Sequence, residues 1–187
     1  MKTAILLHGT GGSSENYFWF ADTKKYLEAN GYEVWWPLLP NTEKPELQET
    51  MHYVEQNLPT INENTIIIGH SSACPLILHI VQYFKVKIKQ VVLVGGFYKS
   101  LNDDGYSDLM LPKSFDWEVI KSKVDEIILI NSNNDPWGCN DMQAREPAIK
   151  LSATLAIASG QGHMGSLSYN QSYKEFPLLK RLLRVKQ

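Results

Sequence analysis

Short apolar runs rich in β-branched residues recur along the chain at 3–7, 33–37, 65–69, 90–95, 126–131 and 153–158, each bounded by turn-forming residues. Runs of this length without strict polar alternation read as strands buried on both faces. The segments between them, 15–30, 44–58, 72–84, 112–123, 140–150 and 169–185, carry helical spacing or capping residues. Strand and helix therefore alternate. That pattern predicts an α/β fold: a doubly wound, mostly parallel sheet of about six strands with helices on both faces. No repeat, low-complexity tract or Pro/Gly/Ser linker breaks the alternation, so one domain over 1–187 is expected. The irregular stretch 97–111, containing Asn102-Asp103-Asp104-Gly105, joins a strand end to a helix. It suits a mobile loop over a site, or a plain surface connection.

Composition narrows the function classes. Hydrophobic residues make up 43% and charged residues 20% of the chain, which excludes disorder as its main state. The 18 basic and 20 acidic residues are interspersed and sum to a formal charge of -2, so no basic field exists to bind nucleic acid. The opening apolar run, Ala4-Ile5-Leu6-Leu7, is too short for a signal peptide and is broken at once by His8-Gly9. No stretch approaches a membrane span. A cytoplasmic protein without a membrane partner is expected. Cys74 and Cys139 form neither a disulfide framework nor a zinc-type motif, so no metal site is expected. No feature of the chain assigns an oligomeric state.

Open α/β sheets bind ligands beyond the carboxyl ends of their strands. Four such loops carry chemistry: His8-Gly9-Thr10-Gly11-Gly12, Gly69-His70-Ser71-Ser72-Ala73, Ser132-Asn133-Asn134-Asp135-Pro136 and Ser159-Gly160-Gln161-Gly162-His163. The second is similar to the G-x-S-x-G nucleophile elbow of α/β-hydrolases, with Ala73 in place of the second glycine. A serine nucleophile needs a base, and the base needs an acid to hold its tautomer. Asp135 and His163 supply both, in the chain order Ser, Asp, His. Taken singly, Ser71 or Ser72 would be a helix cap, Asp135 a turn former and His163 a surface residue; together they read as catalytic. The first loop matches no phosphate-binding spacing. It is similar to the HG loop of hydrolases, with Thr10 and Ser72 as backbone oxyanion donors and Gly11 the alternative to Thr10.

With the opening HGTGGSSENYFWF, the elbow GHSSA, the acid in NSNNDPW and the base in GQGH, the chain resembles small serine hydrolases of the retinoblastoma-binding protein 9 and YdeN type. The resemblance covers nearly the whole chain and implies a compact α/β-hydrolase fold without a large cap. Trp137-Gly138-Cys139 departs from the usual V-P after the acid, and no L-x-C-x-E sequence occurs, so retinoblastoma binding is not carried over. The expected activity is cofactor-independent hydrolysis of a small-molecule acyl substrate, with water or another group as acyl acceptor. The rival is a non-catalytic hydrolase-like binding module. Trp19, Phe97 and Trp137 flank the loops and are expected to wall the acyl pocket. His8 and His70 are expected to position backbone, His52 and His79 to lie on helices, and the two thiols to be buried and inert.

Overall fold

The structure, a computed structural model, describes residues 1–12, 17–101 and 105–185. Its elements run β1 (Lys2–Leu7), α1 (Phe20–Ala29), β2 (Tyr32–Trp35), α2 (Leu47–Asn57), β3 (Ile66–His70), α3 (Ala73–Val81) and β4 (Gln90–Val94). A short 3-10 helix at Ser107–Met110 follows, then α4 (Trp117–Ser122), β5 (Ile127–Asn131), α5 (Asp141–Leu151), β6 (Thr154–Ile157) and α6 (Pro177–Leu182). All six strands are parallel and lie in the order β2-β1-β3-β4-β5-β6. This is the doubly wound parallel α/β sheet that the strand and helix pattern predicts.

Successive strand residues point to opposite faces, and the apolar runs supply a buried side chain to each. Ile5, Leu7, Ile67, Val91, Leu93, Ile127 and Leu129 share one core with α2, α3, α4 and α5. Ala4, Leu6, Ile66, Ile68, Val92, Val94, Ile128 and Ile130 share the other with α1 and α6. The chain moves outward from β1 to β2 and then returns to β3 on the other side of β1, so the strand order reverses between β1 and β3. The loops leaving these two strands splay apart there and open a crevice.

Three helices fall well short of the segments predicted for them, and α2 and α3 lose residues at both ends as well. Region 169–185 holds only α6, because Asn170 and Tyr173 adopt left-handed backbone (φ +55° and +37°) and Pro177 sets the first helical turn. The helix predicted over 112–123 begins at Trp117, where the Asp116 carboxylate accepts from the Val119 N–H. α1 starts at Phe20, after left-handed Phe18 (φ +47°); positions 15 and 16 of that prediction lie outside the described residues. In the irregular stretch, Asn102-Asp103-Asp104 also lies outside them, while Phe97 and Tyr98 are buried. Among the described residues no helix is long and apolar enough to cross a membrane.

Candidate active site

Ser71 stands on the turn from β3 into α3 with φ +55°, a left-handed conformation that costs a non-glycine residue energy and must be held by its surroundings. Two backbone bonds hold it: the Ser71 N–H donates to the Val94 carbonyl, and the Ser71 carbonyl accepts from the Cys74 N–H, each at 2.9 Å. Its flanks must be small. A Cβ at Gly69 would lie 2.3 Å from Ile77 Cδ1 and 3.5 Å from Ala73 Cβ. Ile77 is thus what excludes a side chain at position 69, while the 3.5 Å to Ala73 Cβ is ordinary van der Waals contact that leaves room for the methyl at position 73. Across the crevice, a Cβ at Gly9 would stand 2.6 Å from Ser71 Cβ and 2.9 Å from the His70 carbonyl, so glycine lets the first loop reach the serine.

That loop is wrapped around His8. The Leu39 N–H donates to His8 Nε2 at 2.9 Å, which leaves the proton on Nδ1 to donate to the Gly9 carbonyl at 2.8 Å. Burial lowers the His8 pKa and favours this neutral ring. The Gly11 N–H is committed to the Thr42 carbonyl at 2.7 Å. The Thr10 hydroxyl donates to Ser72 Oγ at 3.0 Å and ties the first loop to the elbow. Ser72 sits at the N-cap of α3 without making a side-chain cap bond.

Asp135 and His163 leave β5 and β6 and meet as a buried pair, His163 Nδ1 lying 2.6 Å from Asp135 Oδ2. The other Asp135 oxygen accepts from the Trp137 N–H at 2.9 Å. Asp141, the nearest alternative acid, is engaged by Arg145 at 2.8 Å. A set of polar side chains that sequence reasoning missed joins the two loops. Asn133 Oδ1 accepts from the Gly160 N–H, Asn134 Oδ1 from the Gly162 N–H, and Gln171 Oε1 from the His163 N–H, at 2.8 to 2.9 Å. The polar run Ser132-Asn133-Asn134 beside the acid was the available signal for the first two. Gln171 carried none, since it reaches the site only because the chain turns back after the base.

His70 packs against His163 and holds its backbone. Its Nε2 lies 2.8 Å from the His163 carbonyl and donates to it, and the two rings are 4.7 Å apart. The rings of Tyr17, Phe18, Trp19 and Phe20 enclose it edge-on. Burial and the nearby His163 hold its pKa down to about 3, so it is neutral. His52 and His79 bond within their helices, to Gln56 and Gln82.

Ser71 and His163 border one cavity of about 680 Å³, with Thr10 and Ser72 also in its wall. Phe97 and Trp137 line it. Trp19 does not: it is fully buried, stacks on Phe20 and donates its indole N–H to the Met164 carbonyl at 2.9 Å. The sequence expectation for Trp19 is corrected on that ground, and its neighbours Tyr17 and Phe18 take the pocket position instead. Cys74 is buried and its thiol pKa is pushed well up by desolvation, in keeping with an inert thiol. Neither cysteine is in a disulfide.

A family model described as serine hydrolase matches residues 4–184. The YdeN protein of Bacillus subtilis (strain 168) is 31% identical over 146 residues, covering 72% of this chain and 76% of that protein. Serine hydrolase RBBP9 of Rattus norvegicus is 25% identical over 178 residues, covering 90% of each. The crystal structure of the Bacillus subtilis ydeN gene product superposes with a TM-score of 0.88 at 26% identity, over 97% of this chain and 96% of that one.

Proposed function

The chain belongs to the serine hydrolase family, and from that premise we propose that it cleaves small acyl esters or related carbonyl compounds through an acyl-enzyme on Ser71. The observation that carries this reading is a strained serine on the elbow, sharing one cavity with a histidine whose far nitrogen is 2.6 Å from a buried carboxylate. Ser71 Oγ attacks the carbonyl carbon while His163 Nε2 takes its proton. The Asp135 carboxylate accepts from Nδ1–H, fixes the tautomer that leaves Nε2 free, and stabilises the imidazolium as it forms. The proton then passes to the leaving alcohol, and water repeats the sequence to release the acid.

The oxyanion forms beside the amides of Thr10 and Ser72. Gly11 is the weaker candidate because its N–H is already spent on Thr42, and the Thr10–Ser72 hydroxyl contact holds the two donor residues in register. One such donor contributes roughly 2.7–4 kcal/mol to the transition state.

A fluorophosphonate probe with mass mapping of the labelled residue tests nucleophile, activation and oxyanion hole together. Ser71 is the expected site, and Ser71→Ala abolishes labelling. A wild-type protein left unlabelled under conditions that label a control esterase refutes the reading and favours a hydrolase-like binding module.

A further inference from the structure

Cys139 has no part in the acyl-transfer scheme, yet it lies against the acid and the base. Gly138, at φ +82°, turns the chain after Asp135-Pro136-Trp137, the Gly138 N–H donates to the Asp135 carbonyl at 3.2 Å, and Cys139 is brought back beside the residue four positions earlier. Asn131 fixes the far side, its amide donating to the Cys139 carbonyl at 2.9 Å and to the Gly96 carbonyl at 2.8 Å. One ligand atom from each of Asp135, Cys139 and His163 lies within 4.8 Å of the other two, and all three residues are buried.

From this juxtaposition we infer that Asp135, Cys139 and His163 form an inhibitory site for a thiophilic divalent cation of the zinc type. Sulfur, imidazole nitrogen and one carboxylate oxygen are the donor set Zn²⁺ takes in tetrahedral sites, and a thiolate discriminates against Mg²⁺ and Ca²⁺. At zinc–ligand lengths of roughly 2.0–2.3 Å the donors around the metal stand about 3.3–3.7 Å apart. The present spacings reach that with the Asp135–His163 pair opening from 2.6 Å and the sulfur closing in from within 4.8 Å. Cys139 and His163 both border the cavity, which supplies the entry path and a fourth, exchangeable position.

The inhibition follows from proton bookkeeping and rests on the acyl-enzyme reading above. The metal replaces the proton on His163 Nδ1, the atom facing Asp135. That proton reappears on Nε2, so the imidazole stays neutral, and the thiol proton of Cys139 is the one released to solvent. With Nε2 protonated and Asp135 turned to the metal, His163 has no lone pair for the Ser71 proton.

The test uses the full chain with Cd²⁺ as spectroscopic probe and Zn²⁺ as inhibitor. Wild type develops a thiolate-to-cadmium charge-transfer band that saturates at one equivalent, and Cys139→Ser loses it while Cys74→Ser keeps it. In the same proteins Zn²⁺ blocks fluorophosphonate labelling of wild type, a chelator restores it, and Cys139→Ser labels to the same extent with and without Zn²⁺. X-ray absorption at the zinc edge of wild type needs no variant and shows one sulfur among nitrogen and oxygen neighbours. Absence of the band in wild type, its survival in Cys139→Ser, or a zinc shell with no sulfur or two overturns the site. Failure of labelling in metal-free wild type overturns the acyl-enzyme reading instead, and the cadmium band still decides the metal site.

Discussion

Lowering the pH puts His70 in conflict with its surroundings, and the size of the effect can be worked out. The ring is fully buried among Tyr17, Phe18, Trp19 and Phe20, its Nδ1 has no hydrogen-bond partner among the described residues, and its pKa is held to about 3 against 6.5 in an exposed chain. The folded state therefore keeps His70 neutral, whereas the unfolded chain takes up a proton below about pH 6.5. The stabilisation is complete above that value and is lost progressively as pH falls toward 3. Linkage over this interval makes the loss about 3 kcal/mol between neutral pH and about pH 4.5, or roughly 6–12 °C in Tm for a chain of this length. His70→Gln isolates the effect, since its amide N–H can still serve the His163 carbonyl but does not titrate. Urea unfolding of both proteins at the two pH values is the assay. The variant starts less stable because it disturbs a packed ring, yet wild type loses about 3 kcal/mol more than the variant on acidification. His8 and the carboxylates are common to both and cancel in the difference. Equal losses in the two proteins refute the argument.

Two further outcomes test the reading of the site. His163→Ala removes the base and lowers kcat by about 10⁶, whereas Asp135→Asn leaves the ring in place with the wrong tautomer and lowers it by about 10⁴; an Asp135→Asn enzyme of near wild-type rate refutes the role given to Asp135, and Asp141 is a poor substitute because Arg145 holds it. Turnover of p-nitrophenyl acetate and butyrate exceeds that of laurate and palmitate, because hydroxyls of Thr10, Ser107 and Ser166 and the carboxylate-bearing Glu43 interrupt the apolar wall of the cavity, and a methylene adds its ~0.8 kcal/mol only against apolar surface; a steady rise in kcat/KM through laurate refutes this.

The sheet was legible because its four inner strands, β1, β3, β4 and β5, are buried on both faces, while the edge strands β2 and β6 are only partly covered. A run such as Thr65-Ile66-Ile67-Ile68 must feed two cores at once, and the structure divides it accordingly, Ile67 to one face and Ile66 and Ile68 to the other. Helix ends were less legible. The segment 169–185 repeats apolar residues at helical spacing, yet Tyr173 turns left-handed and packs against Phe176 at 5.2 Å between ring centres. Periodicity records which side chains are buried, and an irregular chain folded onto the same core buries them equally well.

At the site, the juxtaposition of Ser71, Asp135 and His163 was readable and the side chains that direct them were not. Ser71, Asp135 and His163 each end a strand in a loop of turn-forming residues, and their types and order restrict what they can do. Trp19 offered only an aromatic ring near a loop, and the ring's destination depends on a backbone turn at Phe18 that sequence does not announce. Its indole N–H settles the matter: burying it requires an acceptor, and the Met164 carbonyl beside the base provides one. The same carbonyl-by-carbonyl support recurs at His163, held by His70. Two aromatic side chains under the sheet's edge thus fix consecutive carbonyls of the base loop, which keeps the imidazole aimed at Asp135 while the cavity side remains open to substrate.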